Sequence, residues 1–403
     1  MNKKILIISP TPSHPQNAGN RSRIFALCDY IKKRGLDLSF FYINKENGDS
    51  VAMINYFGHS NYFEYSFNSD IKSTSNKLTF IHRFILKIQH FKTILVHKFT
   101  KENLDTKYNR KVDDYYDFNI DFFIKEKLVK NKYTHVIVEY VVYSKALYNF
   151  DNSVVKIIDM HDVLSNRYKL FLEQKLVPQW YSLFPVEESK GLNRADIIIA
   201  IQEKEKNYFE SISNKKVFVL GHLTAITPIL TEISNTIVFV GSDNKINIDG
   251  INHFIKNIFP AIVQELKNVK LIIAGNIINR KLEVLDHPNI VFFGEYNTNT
   301  EIYSLADVVI VPITYGTGLK IKTIDALSCG KAIVTFHEGI SGLDKPNLNN
   351  PYCLLAKDDN DFSKKVLSIL NDIKQKREIE KNALNYIERY IANTLQVLNK
   401  IFI

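Results

Sequence analysis

A glycine-rich loop followed by two lysines could hold an anion. The pattern predicts a helix over 319–329, with Lys320 and Lys322 in its first turn. Bare N–H groups and the helix dipole attract negative charge at a helix N-terminus, and glycine lets a ligand approach the backbone. Cations at that end cost roughly a few tenths of a kcal/mol each, so they indicate a phosphate or diphosphate nearby. An ordinary turn with solvent-facing lysines is the alternative. The loop consists of Tyr315, Gly316, Thr317, Gly318 and Leu319.

A second helix start has the same character. Gly19 opens the helix after the first predicted strand, and Arg21 and Arg23 stand in its first turn. This N-terminus is a second candidate anion site, although ordinary surface charge would also explain the arginines.

Three ionisable residues stand at predicted strand ends. His161 and Asp162 follow the strand predicted over 155–160, and Glu139 stands near the end of the strand predicted over 135–140. Ligands of parallel sheets bind beyond the carboxyl ends of the strands, so we predict catalytic roles for these three residues. Glu139 could orient an acceptor hydroxyl. For His161 a purely structural role is the alternative.

Apolar runs alternate with helical patterns along most of the chain. Most runs are continuously apolar, as in parallel strands that helices cover on both faces. The alternation predicts βαβ units and an α/β fold of two Rossmann-like, doubly wound parallel-sheet domains that face a cleft. The predicted strands are 4–9, 38–43, 135–140, 155–160, 196–201 and 216–221, then 236–241, 270–275, 290–294, 308–312 and 332–336.

The segment 223–235, with Pro228 and weak periodicity, predicts a linker between the domains. We therefore predict an N-terminal domain over 1–222, joined by a C-terminal helix at about 385–403, and a C-terminal domain over 235–384. An aromatic, lysine-rich stretch at about 56–132 interrupts the N-terminal pattern. Within it, 77–101 has helix-like apolar spacing and six Lys or Arg residues without Asp or Glu. Such a helix could lie on an anionic membrane surface, or it could pack on the domain with a solvated lysine face.

The composition is that of an ordinary globular chain, with 403 residues, 45% hydrophobic and 24% charged. A net charge of +9 suits an anionic partner, although a lysine-rich genome would also produce it. The first apolar run stops at Pro10, and no run reaches the ~18 apolar residues of a membrane span. We expect a cytoplasmic protein, with peripheral binding to the inner membrane face as a companion hypothesis. Three cysteines without zinc or redox spacing predict buried, reduced thiols.

The segment 308–336 resembles the donor-binding signature of the group 1 glycosyltransferases (family 4, GT-B fold). The matching residues are Gly316, Gly318, Lys320, Lys322, Asp325, Ala326 and Gly330. The resemblance implies that Lys320 and Lys322 contact the diphosphate of a nucleotide sugar. It also implies that Asp325 replaces the glutamate that binds the ribose hydroxyls. Thr317 stands where many members have a further glutamate.

Other blocks resemble the same family and would complete the donor site. Gly241 and Ser242 would lie beside the diphosphate or the sugar, and the base would lie near Gly294 and Tyr296. The resemblance also implies that His161 contacts the donor sugar. The further donor-site residues that it assigns are Gly241, Ser242, Gly275, Asn276, Gly294, Tyr296, Gly19 and Arg21.

The resemblance implies a glycosyltransferase that moves a sugar from a nucleotide sugar to a glycan or lipid-linked acceptor in bacterial-type surface polysaccharide synthesis, with retention at the anomeric carbon. The nucleotide sugar is a co-substrate, and no other cofactor is expected. No Asp-x-Asp pair stands at a strand end, so we expect a metal-independent reaction. A sugar-nucleotide epimerase on the same fold is one alternative. A nucleic-acid-binding protein is the other, but the chain lacks a recognition motif and its charge is dispersed, so no nucleic-acid partner is expected.

Overall fold

The structure, a computed structural model, describes residues 3–66, 104–173, 175–178, 181–232, 234–279, 287–316 and 318–402. These residues form two lobes, each built on one parallel sheet. The basic segment 77–101 and Thr317, both singled out by the sequence, lie outside the described residues.

Strands of the N-terminal lobe form one sheet: β1 (Lys4–Ser9), β2 (Asp37–Asn44), β3 (Tyr62–Ser66), β4 (His135–Glu139), β5 (Val155–Asp159), β6 (Ile197–Ala200) and β7 (Lys216–Val219). Their order is β3-β2-β1-β4-β5-β6-β7, and neighbouring strands run parallel. In β1, Ile5 and Ile7 pack in one apolar layer, and Leu6 and Ile8 pack in the other. Because both faces are buried, the strands show no polar alternation.

The C-terminal lobe contains a second parallel sheet: β8 (Thr236–Val240), β9 (Lys270–Ala274), β10 (Ile290–Gly294), β11 (Val308–Val311), β12 (Ile333–Thr335) and β13 (Leu354–Leu355). Its order is β10-β9-β8-β11-β12-β13. Ile237 and Phe239 of β8 pack on one face, and Val238 and Val240 pack on the other. Each sheet therefore lies between two apolar layers, as the sequence predicts.

Helices connect the strands and cover the sheets. They are α1 (Gly19–Lys33), α2 (Ser50–Phe57), α3 (Leu104–Tyr108), α4 (Asn119–Phe123), α5 (Tyr168–Glu173), α6 (Pro185–Leu192), α7 (Glu203–Ile212), α8 (Lys245–His253), α9 (Phe259–Glu265), α10 (Asn299–Tyr303), α11 (Ile321–Ser328), α12 (Asp359–Asn371) and α13 (Ile373–Phe402). The π-helical turns Ile124–Leu128 and Phe254–Ile258 extend two of these runs. Short 3₁₀ segments occur at Val112–Tyr115, Val129–Asn131, Val141–Asn149, Asn276–Asn279 and His337–Ile340.

The last helix, α13, joins the two lobes. Its first turns pack in the C-terminal lobe, where Ile379, Ala383 and Ile387 are buried. Its last turns pack on the N-terminal lobe, where Leu398 and Phe402 are buried. The helix therefore carries the chain from the second lobe back to the first.

The structure differs from the sequence expectation at the edges of both sheets. β3 falls inside the stretch 56–132 that the pattern assigns to an insertion, yet it pairs with β2. At the other end of that stretch, Ile120, Ile124 and Leu128 pack in the N-terminal core. Both described ends of the stretch therefore belong to the domain. In the C-terminal lobe, the strand β13 has only two residues, which is too short for a recognisable strand pattern in the sequence.

Cys28, Cys329 and Cys353 are buried and free. Within the part of the chain that the structure describes, no helix has both the length and the apolar composition to cross a bilayer.

Candidate active site

Three glycines form a bare backbone edge at the carboxyl ends of β8, β9 and β10. Gly241 and Gly275 directly follow β8 and β9, and Gly294 ends β10. The Gly275 N–H donates to the Gly294 carbonyl at 2.8 Å, and a Cβ atom on Gly275 would lie 2.3 Å from the Gly241 carbonyl oxygen. Gly275 also has φ +93°, which other residues rarely adopt. A ligand at this edge therefore meets backbone rather than side chains.

Amide side chains hold the loop between β8 and α8. Ser242 Oγ accepts from Asn244 Nδ2 at 2.9 Å and from Asn247 Nδ2 at 3.0 Å. Asn276 Oδ1 accepts from the Asp243 backbone N–H at 2.8 Å, which joins this loop to the end of β9. The predicted donor-site residues Ser242 and Asn276 therefore belong to one hydrogen-bonded network at the N-terminus of α8.

Two lysines lie at the start of α11, where Lys320 is the N-cap and Lys322 stands in the first turn. Lys320 Nζ donates to the Gly318 carbonyl at 3.1 Å. Lys322 Nζ donates to Asn247 Oδ1 at 2.6 Å and lies 4.8 Å from the centre of the Phe239 ring. Burial lowers the pKa of Lys320 to about 8, and burial together with the charge of Lys320 lowers the pKa of Lys322 to about 7. A bound anion would raise both pKa values, because it favours the charged lysine.

The outer part of the glycine-rich loop is anchored on α8 and in the core. The Tyr315 hydroxyl donates to Asp249 Oδ2 at 2.5 Å, and Leu319 is buried in the C-terminal lobe. Gly316, by contrast, is exposed and has φ +119°. Tyr315 and Leu319 therefore hold the loop, while Gly316 and Gly318 supply its bare backbone.

The glycine-rich loop reaches the N-terminal lobe. A Cβ atom on Gly318 would lie 3.8 Å from the His161 carbonyl oxygen, and one on Gly19 would lie 3.1 Å from Ile321 Cγ1. Because Gly19 begins α1 and Ile321 begins α11, two helix N-termini from different lobes face each other. The structure thus brings the two anion-ready helix starts together. From Gly316 the crevice continues into a cavity of about 910 Å³ that reaches α13.

Both arginines of α1 have partners within the N-terminal lobe. Arg21 Nη2 lies 3.1 Å from Glu46 Oε2 and donates to the Asn47 carbonyl at 3.0 Å. Arg23 is only 4% exposed, and its Nη2 donates to Asp159 Oδ1 at 2.8 Å. Its Nη1 donates to two backbone carbonyls just beyond β7 at 2.9 Å each. Arg21 is thus an ion-paired residue of the N-terminal lobe, and Arg23 is a buried structural cation.

His161 and Glu139 form a buried pair at the ends of β5 and β4. His161 Nε2 lies 2.6 Å from Glu139 Oε2, and their side chains are 8% and 0% exposed. Burial raises the pKa of Glu139 to about 8 and lowers the pKa of His161 to about 4. Since Glu139 has no exposed surface, its carboxyl contacts His161 and does not reach an acceptor hydroxyl, contrary to the role expected from the sequence.

The other predicted residues lie at two ends of the crevice. Asp162 Oδ2 lies 2.7 Å from Arg167 Nη2, so this carboxylate is held in an ion pair. Asp325, within α11, has Oδ1 3.6 Å from His222 Nε2. Burial, with a contribution from the charge of Asp325, raises the pKa of Tyr296. Asp325 and Tyr296 are therefore neighbours near the end of β10.

One group among the described residues has the spacing of a metal site. Ligand atoms of Glu139, Asp159 and His161 all lie within 4.8 Å of one another. Arg23 already places its guanidinium 2.8 Å from Asp159 Oδ1, and Glu139 Oε2 contacts His161. A divalent cation would have to break both contacts and lie beside an arginine, so this arrangement favours hydrogen bonding over metal binding.

Three residues that contact the site were missed by sequence reasoning. Asp159 carried a signal, because it is an acidic residue at the end of a buried strand, directly after two isoleucines. Asn247, the partner of Lys322, carried none, because the two residues are 75 positions apart. His222 lies in the connection between the lobes and also lacks a local signal.

The segment that contains the strand-end glycines and the two lysines matches a known protein family. Residues 234–372 match the family of glycosyl transferases group 1. This part of the chain is therefore a group 1 glycosyltransferase domain. An uncharacterized 44.6 kDa protein in the cps region of Klebsiella pneumoniae is 22% identical to this glycosyltransferase over 406 residues, which cover 96% of this chain and 95% of that protein.

Solved structures show that this glycosyltransferase has the GT-B fold. A mutant of S. aureus TarM, in complex with fondaparinux, α-GlcNAc-glycerol and UDP, superposes with a TM-score of 0.62 at 13% identity and covers 100% of both chains. Sucrose-phosphate synthase from Thermosynechococcus elongatus has a TM-score of 0.64 at 14% identity, covering 99% of this chain and 98% of that one.

Proposed function

We propose that this glycosyltransferase moves a sugar from a nucleoside diphosphate sugar to a glycan or lipid-linked acceptor in bacterial-type surface polysaccharide synthesis. The nucleotide sugar is the co-substrate, and no further cofactor takes part. Two comparisons support the proposal, since the TarM structure holds UDP and the Klebsiella pneumoniae relative is named for its cps region.

The observation that carries the proposal is a lysine placed for an anion. Lys322 is partly buried in the first turn of α11, and among the described residues it forms no ion pair. The helix dipole and the surrounding protein both disfavour a positive charge there. A diphosphate between Lys320, Lys322 and the strand-end glycines would offset both effects.

The same groups can stabilise the leaving group of the reaction. Negative charge develops on the nucleoside diphosphate as the glycosidic bond breaks, and preorganised N–H groups and ammonium groups stabilise it without a metal. Lys320, Lys322 and the backbone at Gly318 would do so, while the donor sugar lies beside His161. We therefore propose a metal-independent reaction.

Retention of anomeric configuration is part of the proposal. A double displacement needs a carboxylate that can attack the sugar. The two predicted carboxylates near His161 are both engaged, because Glu139 is buried behind the imidazole and Asp162 is paired with Arg167. Attack by the acceptor on the face that the diphosphate leaves fits such a site. Proton NMR of the first product should show the anomeric configuration of the donor, and an inverted product would refute retention.

The first experiment is a thermal-shift screen against UDP, GDP, CMP and their sugars. The nucleotide with the largest shift then serves in a transfer assay with and without acceptor. We expect acceptor-dependent release of nucleoside diphosphate that EDTA does not reduce. Conversion of the donor to an epimer without acceptor would refute transferase activity, and loss of turnover in EDTA with recovery in Mn²⁺ would refute metal independence.

We also propose that the N-terminal lobe binds an anionic membrane surface, where a lipid-linked acceptor would lie. The helical run that begins with α4, together with its N-cap Phe118, exposes three apolar side chains, Phe118, Phe122 and Val129. Lys125, Lys130 and Lys132 of the same segment are exposed as well. Aromatic side chains beside lysines are typical of helices that lie on anionic bilayers.

Flotation with vesicles tests this surface. The double variant Phe118→Ser/Phe122→Ser should float less than wild type with phosphatidylglycerol vesicles, and neither should float with phosphatidylcholine alone. Leu348→Ser removes a still more exposed apolar side chain from the C-terminal lobe and should behave as wild type. Equal flotation of the double variant and wild type would refute this binding surface.

A further inference from the structure

The buried pair of Glu139 and His161 implies a specific task for Glu139, because no part of this carboxyl reaches the crevice. Its Oε2 lies 2.6 Å from His161 Nε2. Its other oxygen, Oε1, is buried and has no hydrogen-bond partner among the described residues. The hydrogen bonding of this carboxyl is therefore directed to the imidazole alone.

The imidazole is held from a second side by Tyr140. The two rings lie 4.5 Å apart between centroids, with an interplanar angle of 35°. Tyr140 has φ +66° and ψ +135°, a sparsely populated conformation that costs a non-glycine residue about 1–3 kcal/mol, and its N–H donates to the Asp159 carbonyl at 3.0 Å. The Tyr140 backbone conformation places the Tyr140 ring against the His161 ring, while Glu139 contacts His161 Nε2. Nδ1 is then the imidazole nitrogen left for a ligand.

Neighbouring charges determine where the proton of the pair lies. Arg23 is balanced by Asp159, so the Glu139–His161 pair needs no net charge of its own. Burial raises the pKa of Glu139 to about 8 and lowers that of His161 to about 4, so the uncharged acid and uncharged imidazole are favoured near neutral pH. The groups that face the pair are Arg23 and the Cys28 thiol from α1, Asp159 from β5 and Asp162 after β5.

We propose that Glu139 is a positioning residue, which as a neutral carboxylic acid donates a hydrogen bond to His161 Nε2 and so keeps the N–H of His161 at Nδ1, facing the donor sugar. A neutral imidazole that accepts at Nε2 must carry its proton on Nδ1. His161 then offers a hydrogen-bond donor, which suits a hydroxyl or ring oxygen and disfavours a free ammonium group on the sugar. The inference rests on the proposed function in naming the sugar as the ligand.

Two substitutions separate this role from that of a carboxylate. Glu139→Gln keeps an uncharged donor, because its amide N–H can replace the acid O–H, so kcat should stay within about threefold of wild type. Glu139→Ala removes the donor and should lower kcat by ~10²-fold. If Glu139→Gln is as inactive as Glu139→Ala while both fold, Glu139 works as a carboxylate and the proposal is overturned.

The pH profile gives a second readout. At saturating donor, wild-type kcat should fall as pH rises through about 8, where Glu139 loses its proton and can no longer donate. Glu139→Gln should lack this fall. Glu188→Gln is the matched control, because Glu188 is another buried acid of this lobe and contacts Leu164 and Ser165 instead of His161. An alkaline fall that persists unchanged in Glu139→Gln would overturn the proposal.

Nitrogen-15 NMR of the His161 ring tests the tautomer without any turnover. In wild type at about neutral pH, we expect Nδ1 protonated and Nε2 unprotonated. A protonated Nε2 would overturn the proposal. Because this measurement needs neither donor nor acceptor, it stays informative if the enzyme proves to have another reaction, whereas failure of the transfer assay alone would refute only the proposed function.

Discussion

Replacement of Lys322 by methionine should weaken diphosphate binding and at the same time stabilise the fold. Methionine keeps an unbranched apolar stem but lacks the ammonium that contacts Asn247 Oδ1 and the Phe239 ring. Binding weakens because the anion loses a charged partner. Stability rises because a partly buried cation next to Lys320 disappears. A residue with a purely structural role would change stability alone.

The size of the stability change follows from the pKa of Lys322, which is lowered from 10.5 to about 7. At about 1.4 kcal/mol for each pKa unit, the charged lysine destabilises the fold by at most about 4 kcal/mol at neutral pH. The hydrogen bond and the ring contact that methionine loses together offset about 2 kcal/mol. We therefore expect the unfolding free energy to rise by about 1–2 kcal/mol and Tm by about 1–2 °C. The penalty of the charged lysine is complete below about pH 7 and falls toward zero as pH rises to about 10.5, so the gain from methionine shrinks over this range.

Calorimetry with inorganic pyrophosphate measures the binding change without knowledge of the base. We expect Kd to rise by about tenfold to a hundredfold, as for the loss of one hydrogen bond to a charged group. Lys331→Met is the control, because Lys331 is also buried and its pKa is lowered to about 8. Lys331 lies before β12, at the amino ends of the strands and away from the site at their carboxyl ends. Its pyrophosphate Kd should stay within about twofold of wild type. An unchanged Kd in Lys322→Met would refute the assignment of the diphosphate site, whatever the change in Tm.

Three further predictions follow from the same site. Gly275→Ala should lower the unfolding free energy by about 3–4 kcal/mol, because its Cβ would lie 2.3 Å from the Gly241 carbonyl oxygen. Gly35→Ala is the control, because φ is also positive there but no atom lies within 4 Å of the added Cβ. Denaturant titration should show that this variant lowers the unfolding free energy by only about 1–2 kcal/mol. Equal losses of unfolding free energy in the two variants would refute the predicted clash at Gly275. Asp325→Ala should raise KM for the nucleotide sugar by about tenfold or more, because the resemblance assigns Asp325 to the ribose hydroxyls. The pyrophosphate Kd should stay unchanged, and weaker pyrophosphate binding would indicate a structural role for Asp325 instead. Finally, wild-type pyrophosphate affinity should fall by up to about tenfold per pH unit above about pH 7 as Lys322 loses its proton, and calorimetry on Lys322→Met should show a shallower slope.

Much of the fold could be predicted because buried parallel strands leave a local pattern. The strands predicted at 4–9 and 290–294 coincide with β1 and β10, since both are short apolar runs. β3 escaped notice because its sequence YFEYS mixes aromatic and acidic residues, as suits a partly exposed edge strand. The glycine-rich loop could also be predicted from the sequence, because its glycines, its lysines and the start of α11 are close together in the chain.

Local patterns in the chain encode the two parallel-sheet lobes and the stretch that offers backbone amides and lysines to an anion, because both depend on residues close together in the sequence. Contacts between ionisable groups depend instead on how distant elements pack together. Glu139 lies behind His161 instead of facing the acceptor, and Arg23 is buried on Asp159, 136 positions away. Burial and pairing set the charge of these groups, and both arise from packing between distant elements, so no local pattern could encode them.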